Sequence, residues 1–332
     1  MEAGTLIASR GRPALGRPRL SRLPDRLLRG LLTALAVAVV ALLVYFFFRL
    51  YVESDDVFHR FGFFGFTFTN DWDVQGKVFG ALPLVVGTLI TSATALMVGV
   101  PVAVASALYV TELSPRVLRT PLAVTVDLLA AVPSVVYGLW GFFFLVPKLR
   151  PAEQWFSDKF AFLPFVGGHV AGPNYFVAGL ILAIMILPIV SAITRDVLAT
   201  VPPEQKEAAL ALGATRWEVI RVAVLPHSRR GIVGGAMLGL GRALGETIAV
   251  TIVIGNAPVI GKSLFDQGYT LAAVIANEFG EAASDPLHRA ALIAAGLILF
   301  LLTLVVNLAA RLLVRSTERR AALPVAETLP RP

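Results

Sequence analysis

Two ionisable side chains stand inside an otherwise apolar stretch of this chain. The segment GLGRALGETIAVTIVIGN, residues 239–256, carries Arg242 and Glu246 four positions apart. Such spacing places two side chains on the same face of a helix, and Arg242 lies near the middle of the apolar stretch 231–255. A charge at that depth in a membrane is costly unless it is paired or faces water. The sequence therefore predicts either a self-neutralising ion pair or a place where an anion meets a guanidinium.

Anion binding by Arg242 is the more specific of these two interpretations. The planar, permanently charged guanidinium of Arg242 can donate two parallel hydrogen bonds to an oxyanion or a carboxylate. Glu246 would hold Arg242 when no anion is present and compete for it when one arrives. We therefore regard Arg242 and Glu246 as candidate translocation-pathway residues.

Glycine-rich runs around this pair imitate nucleotide-binding motifs. GLGRALG lacks the spacing and the preceding strand of a dinucleotide fold, and GNAPVIGKS, residues 255–263, has five residues between its glycines where a P-loop has four. No other P-loop pattern occurs in the sequence, so we do not expect this chain to hydrolyse ATP. The spacings Gly235–Gly239 and Gly241–Gly245 instead predict close helix packing.

The elements that must position these residues are apolar helices. The chain is 56% hydrophobic and 15% charged, with no cysteine, whereas soluble domains are about 45–50% apolar and about 25% charged. We predict an all-α membrane protein without thiol chemistry. Its six transmembrane helices correspond to the apolar stretches 31–49, 81–110, 121–146, 174–194, 231–255 and 290–314.

Glycine and proline predict where these helices deviate. The second stretch is too long for one straight span, so we expect a single long helix bent at Gly99 and Pro101 that projects past the membrane. We also expect interruptions of the third span at Pro133 and Gly138, and of the fourth at Pro188.

Lysine and arginine set the predicted orientation. With a cytoplasmic N-terminus, the inner segments carry 20 of the 29 basic residues and the outer segments carry 8, with Arg242 as the remaining one. Both termini and the 195–230 loop are therefore predicted to be cytoplasmic. The excess charge reflects topology, so we expect no nucleic-acid partner, and we expect the basic arm 1–30 to lie near anionic membrane lipid.

A short charged hairpin, residues 203–226, occupies that inner loop. Prolines suit its start, and Gly213 is predicted to end its first helix in a left-handed conformation. Thr215 and Glu218 form a T-x-x-E capping box that predicts a second helix. On that second helix, Trp217, Ile220 and Val224 are expected to share a face, and Pro226 is expected to close the unit.

The outer loop after the first span is rich in aromatic residues. FHRFGFFGFTFTNDWD, residues 58–73, places six phenylalanines between positions 58 and 68. It is read either as an interfacial aromatic belt or as a docking surface for an external partner.

The charged hairpin resembles the EAA signature of ABC importer permeases. The residues that carry this resemblance are Glu207, Ala208, Ala209, Gly213, Leu225 and Pro226. We assign Trp217, on the second helix, to the same coupling loop. The resemblance implies a type I ABC importer permease fold, in which this loop forms cytoplasmic coupling helices that dock on an ATPase subunit.

Three further segments are similar to phosphate-specific permeases of the PstC type. They are FGALPLVVGTLITS (79–92), LLAAVPSVVYGLWG (128–141) and GLGRALGETIAVTIVIGN (239–256). This resemblance implies a permease subunit of an ATP-driven phosphate importer, without a cofactor of its own. The implied partners are a PstA-type second permease, two PstB-type ATPase subunits and an external PstS-type phosphate-binding protein.

The resulting organisation divides the chain into an arm, a first helix with its external loop, a transporter core and a tail. The predicted ranges are 1–30, 31–78, 79–314 with the coupling loop 195–230, and 315–332. Three alternatives remain open: a permease for another oxyanion such as sulfate or molybdate, a proton-coupled secondary transporter, and a structural scaffold. No internal repeat supports the secondary transporter, which also leaves the charged hairpin without a role.

Overall fold

The computed structural model describes residues 22–168, 170 and 172–321. The predictions for residues 1–21 of the arm and for the tail after residue 321 lie outside the described residues. The helices, in chain order, are α1 (Arg22–Glu53), α2 (Asp55–Phe61), α3 (Phe63–Phe68), α4 (Leu82–Leu108), α5 (Arg116–Leu128), α6 (Ser134–Trp140), α7 (Val146–Lys159), α8 (Tyr175–Ala199), α9 (Pro203–Ala211), α10 (Arg216–Val219), α11 (Leu225–Gly245), α12 (Ile248–Ile254), α13 (Leu271–Glu278) and α14 (Pro286–Ala321).

The described residues contain a single small sheet. Strands β1 (Trp72–Asp73) and β2 (Val78–Phe79) form an antiparallel pair in which Trp72 lies opposite Phe79. The pair lies outside the apolar stretches. The prediction of an all-α membrane protein is therefore correct for every predicted span.

Four helices are long and apolar enough to cross a membrane, and two bent helix pairs raise the number to as many as six. The straight candidates fall in α1, α4, α8 and α14, and the bent pairs are Arg116–Ala131 with Ser134–Lys159 and Arg216–Gly245 with Ile248–Ile254. The six predicted apolar stretches each coincide with one of these units.

The third span is broken at Pro133, as predicted. Its two halves meet at 90°, and Val132 is extended, with φ −72° and ψ 126°. A residue that precedes proline is pushed out of the helical region, which explains the break. The predicted interruption at Gly138 is wrong, because Gly138 lies inside α6.

Proline does not break the other long helices. Pro188 lies inside the continuous helix α8, so the predicted interruption there is also wrong. Packing by neighbouring helices stabilises a membrane helix that contains proline. Helix α4 likewise continues through Pro101 and extends by a π-helical turn at Tyr109–Leu113, which confirms the prediction of one long second helix.

The chain divides into two compact units, one up to Arg49 and one from Leu50 onward. In the second unit, helix α8 packs against both α4 and α11. Glycines permit this approach: a Cβ on Gly239 would lie 2.9 Å from Val190, and one on Gly235 would lie 3.3 Å from Ile193. The first GxxxG spacing is thereby confirmed as a packing site, whereas nothing lies within 4 Å of such an atom on Gly241 or Gly245.

The aromatic loop folds into a small structure of its own, here called the aromatic cap (residues 55–79). Phe66 and Phe79 are buried against residues of α13 and α14. Phe64 and Phe68 are exposed and stack on each other, with ring centroids 6.4 Å apart. Neither the belt nor the docking interpretation predicts this packed core, which contains the buried side chains of Phe66, Trp72 and Phe79 with Phe58 and Phe61 packed against them.

Buried polar contacts fasten the aromatic cap. The indole Nε1 of Trp72 donates to Glu278 Oε2 at 3.1 Å, and the same oxygen lies 3.0 Å from His288 Nε2. The His288 ring also stacks on Phe79. At the cap's edge, Lys77 pairs with Asp285 at 2.8 Å, and the hydrogen bond from Lys77 holds the pKa of the Asp285 carboxyl below its usual value.

Candidate functional site

A break in the fifth span separates Arg242 from Glu246. Helix α11 ends at Gly245, Glu246 is extended with φ −70° and ψ 129°, and α12 begins at Ile248 with a 65° change of direction. The φ of Glu246 is still helical and only its ψ is extended, so the break redirects the chain after Glu246 and not its Cβ. That the two side chains start from one helix face therefore stays a prediction, but they form no ion pair in the described part of the chain.

Glu246 acts at the start of the next helix. Its Oε1 accepts a hydrogen bond of 3.5 Å from the Ala249 N–H, one of the backbone donors that a helix N-terminus leaves without an internal partner. The Thr247 hydroxyl donates to the Gly245 carbonyl at 3.2 Å across the same break. The carboxylate is thus held at the break by the backbone of α12.

Arg242 is exposed on α11 and makes no ion pair with Glu246 or with any other residue in the part of the chain that is described. Ala243, the residue after Arg242, lies in one buried apolar cluster with Tyr137 of α6. The Tyr137 hydroxyl donates to the Leu129 carbonyl at 2.7 Å, across the break in the third span. The fold therefore brings the breaks of the third and fifth spans to one place, beside Arg242.

Close packing of α6 on α12 joins these two breaks. A Cβ on Gly138 would lie 2.8 Å from Ile252 Cδ1 and 3.1 Å from Ala249 Cα. Gly138 therefore serves as a contact point between the second halves of two broken spans. Tyr137 and Gly138 were not recognised as site residues in the sequence, because their importance depends on a neighbour more than 100 positions away.

The charged hairpin has the predicted start, turn and cap. Helix α9 begins at Pro203, and Gly213 follows it with φ +85°. Glu218 Oε2 accepts from the Thr215 N–H at 2.7 Å, while the Glu218 N–H donates to the Thr215 hydroxyl. The Thr215 hydroxyl also donates to Glu218 Oε2, at 2.8 Å, and the two hydrogen bonds that this oxygen accepts hold the pKa of the Glu218 carboxyl below its usual value. The cap therefore stays ionised and intact at neutral pH and is lost only as the pH falls through that lowered pKa.

The second half of the hairpin differs from its prediction. Pro226 does not close the unit, because it is the second residue of α11 and the helix runs unbroken from Arg216 to Gly245. A π-helical turn at Ile220–Val224 precedes Leu225 and Pro226. An α-helical proline ring clashes with the carbonyl four residues earlier, and the wider turn relieves that contact.

The same π-helical turn separates Trp217 from its expected neighbours. Ile220 and Val224 are buried, at 2% and 0% exposure, whereas Trp217 is 62% exposed. The predicted shared face is therefore wrong. Trp217 is exposed to solvent, as are the apolar side chains of Leu210 and Leu212, which are 51% and 90% exposed.

The hairpin is anchored on the ends of two spans. Its buried Val219 and Val224 cluster with Ala107 of α4 and Leu198 of α8. Lys206 pairs with Glu112 at 2.7 Å, with side chains only 27% and 16% exposed. A force on the hairpin would therefore pass directly into α4 and α8.

The EAA residues lie on the solvent side of this anchor. Glu207 and Ala208 are exposed and Ala209 is half-buried in the cluster, while Leu225 is half-buried and Pro226 exposed. Nearby, Arg195 of α8 pairs with Asp127 of α5 at 2.6 Å. The exposed hairpin face thus carries apolar and charged side chains and rests on the ends of α4 and α8.

Comparison with known proteins identifies the family. Residues 99–319 match the family described as the binding-protein-dependent transport system inner membrane component. A phosphate transport system permease protein PstC of Pasteurella multocida is 46% identical over 290 residues, which cover 86% of this chain and 90% of the relative. The PstC protein of Mesorhizobium japonicum is 44% identical over 90% of this chain and 92% of its own length.

Solved structures show the same fold at low sequence identity. A bacterial ABC transporter involved in the import of the acidic polysaccharide alginate aligns with a TM-score of 0.59 at 18% identity, over 90% of this chain and 99% of the aligned chain. The alginate transporter in complex with a pentasaccharide-bound periplasmic protein also aligns with a TM-score of 0.59. The chain therefore belongs to the family of binding-protein-dependent transport system inner membrane components and, within it, to the permeases of the PstC type.

Proposed function

We propose that this chain is the permease subunit of an ATP-driven phosphate importer in a bacterial inner membrane. The observation that carries this function is the similarity to PstC phosphate permeases, at 42–48% identity over most of the chain. The chain is a transport subunit and not an enzyme, and ATP is hydrolysed by a partner subunit.

The partners follow from the same family membership. The chain would pair with a homologous PstA-type permease, dock two PstB-type ATPase subunits and receive phosphate from an external PstS-type binding protein. The exposed apolar side chains of Leu210, Leu212 and Trp217 support ATPase docking on the hairpin. No atom of another helix in the described part of the chain lies within 4 Å of the Cβ positions of Gly241 and Gly245. This open space beside two small residues supports close packing against a second membrane subunit.

The transport step would use the site beside the two span breaks. Arg242 offers an exposed guanidinium without an ion-pair partner among the described residues, and such a group binds phosphate oxygens in two parallel hydrogen bonds. Binding must stay weak enough for release. Glu246, held at the start of α12, would supply the repulsion that favours release.

Uptake measurements test the proposal. The chain and its neighbouring transporter subunits are expressed in a bacterium that lacks phosphate import, and uptake of labelled phosphate, sulfate and molybdate is compared. We expect ATP-dependent uptake of phosphate, which unlabelled sulfate does not suppress. Uptake of sulfate or molybdate in place of phosphate would assign the chain to another oxyanion, and uptake driven by a proton gradient without ATP would exclude the importer.

A further inference from the structure

Helix α5 carries a surface that the transport function does not use. None of its 13 residues is buried, and the helix meets α6 at 90°. Its sequence RVLRTPLAVTVDL mixes arginines with exposed apolar side chains, among them Val117 at 83% exposure and Leu128 at 61%. Helices that combine basic and apolar side chains in this way bind at the boundary between lipid headgroups and acyl chains.

A cavity of about 400 Å³ lies beside this helix. It is formed where α4 and α8 end and α9 begins. Thr111, Glu112, Arg119, Thr120 and Lys206 supply its polar wall, and Val110, Ala123, Val124, Leu198 and Ala199 supply its apolar wall. One polar and one apolar wall suit an amphipathic ligand better than a small hydrated ion.

The charges of the cavity favour an anion. Lys206 and Glu112 neutralise each other as an ion pair, so Arg119 provides the uncompensated positive charge. The Arg119 Nε donates to the Ser114 carbonyl at 3.2 Å, which fixes the side chain. Its two terminal nitrogens have no partner among the residues described here. Arg116, one turn earlier on α5, adds a second exposed guanidinium.

We propose that this cavity binds the headgroup of an anionic phospholipid. The lipid phosphate would accept hydrogen bonds from Arg119 and from the Thr120 hydroxyl, and the acyl chains would follow the exposed apolar side chains of Val124 and Leu128. The positive-inside orientation places the cavity at the cytoplasmic leaflet, where anionic lipids create a negative surface potential. Because Lys206 belongs to the charged hairpin, the bound lipid would touch the element that docks the ATPase.

The test is lipid binding to the full chain, purified in detergent with its partner subunits. Phosphatidylglycerol or phosphatidylcholine with the same acyl chains is titrated in, and bound lipid is counted by native mass spectrometry. We expect phosphatidylglycerol to bind more tightly than phosphatidylcholine. Arg119→Gln should weaken phosphatidylglycerol binding by about tenfold, since it removes charge-assisted hydrogen bonds.

Arg221→Gln is the matched control. It removes one exposed guanidinium from the same predicted side of the membrane but outside the cavity, so phosphatidylglycerol binding should stay at the wild-type level. Equal binding to the Arg119 and Arg221 variants would overturn the proposal, as would equal affinity of the wild type for the two lipids. Displacement of phosphatidylglycerol by millimolar inorganic phosphate would show that the cavity binds a free anion, which also overturns it.

Two milder variants test the proposal if the Arg119→Gln protein does not assemble. Arg119→Lys keeps the charge but loses the planar pair of donors, and Thr120→Val loses only the hydroxyl. Each should bind phosphatidylglycerol less tightly than the wild type. Wild-type affinity in both variants would contradict the assignment of the phosphate to Arg119 and Thr120.

Discussion

At the scale of single residues, the interactions of Arg242 and Glu246 are set by the end of α11 between them. The Glu246 carboxylate accepts a hydrogen bond from the Ala249 backbone N–H at the start of α12. It does not form an ion pair with Arg242. Arg242 is exposed, and the next residue, Ala243, packs in one cluster with Tyr137. An exposed guanidinium inside a membrane segment is functional by default, because its burial there is costly without a partner or water.

Replacement of these two side chains tests the pathway role. Arg242→Gln should lower phosphate uptake by about 10- to 100-fold, the effect of losing hydrogen bonds from a charged donor. Glu246→Gln retains the oxygen that accepts from Ala249 and removes only the charge, so a loss of uptake there would reflect electrostatics. Labelled phosphate uptake is measured at matched membrane abundance.

The control for this experiment is Arg150→Gln, which neutralises an exposed arginine on α7 and should leave uptake unchanged. The double variant Arg242→Gln with Glu246→Gln decides the matter. If two neutral residues support near-normal uptake, neither charge is needed for translocation and the pathway role is wrong.

At the scale of elements, two broken spans share one contact. Helices α6 and α12 follow the breaks of the third and fifth spans and pack on each other at Gly138. The hairpin, at the opposite end of α11, packs on α4 and α8. Helix α8 packs against both halves of each broken span as well as against the hairpin, so a movement of the hairpin would reach the breaks through α8.

A larger side chain at position 138 should separate α6 from α12. Gly138→Val places carbon atoms where Ala249 and Ile252 already lie, and overpacking of this kind costs about 1–3 kcal/mol. We expect a lower midpoint of thermal unfolding in detergent together with reduced uptake. Gly280→Val is the control, because Gly280 is exposed and nothing lies within 4 Å of its Cβ position. An equal midpoint for both variants would refute the close contact.

The turn of the charged hairpin makes a separate prediction. Gly213 has φ +85° and open space around it, so Gly213→Val introduces backbone strain of about 1–2 kcal/mol without a clash. ATPase assembly or stimulation should fall while membrane insertion survives. Asparagine tolerates the left-handed conformation, and Gly213→Asn should therefore retain most of the coupling. Normal ATP-driven uptake by Gly213→Val would remove the hairpin from the coupling step.

At the scale of the whole molecule, the second unit has two chemically different ends. Helix α4 starts beside the aromatic cap and finishes at the Lys206–Glu112 pair of the hairpin. Aromatic and histidine side chains dominate the first end, and the predicted cytoplasmic end carries the arginine-rich segments. Such a distribution of positive charge sets the direction in which the helices insert.

Reporter fusions test this direction. A reporter placed after Arg229 should be active in the cytoplasm, because it follows the charged hairpin, and one placed near Asp266 should be accessible from outside. The measurement pairs an enzyme active only in the cytoplasm with one active only outside. The reverse pattern would place the hairpin and the lipid cavity on the outer side of the membrane, where no ATPase subunit could dock, and would contradict the predicted orientation.

The sequence alone determined the features that depend on near neighbours along the chain. Apolar stretches of about 20 residues predicted the spans, and Pro133 predicted the break after Val132. Gly213 and the Thr215–Glu218 box predicted the turn and cap of the hairpin, because left-handed backbone and capping are decided within a few residues.

Tertiary structure decided what depends on distant partners or on a change of helical geometry. The π-helical turn before Pro226 changed the side-chain directions expected for the second hairpin helix, and the extended ψ of Glu246 redirected the chain after it. Tyr137 joined the cluster of Ala243, and Lys206 reached Glu112, only because separate helices pack together. Periodicity states which side chains share a face of an ideal helix, whereas packing between helices decides where a real helix breaks and what each face meets.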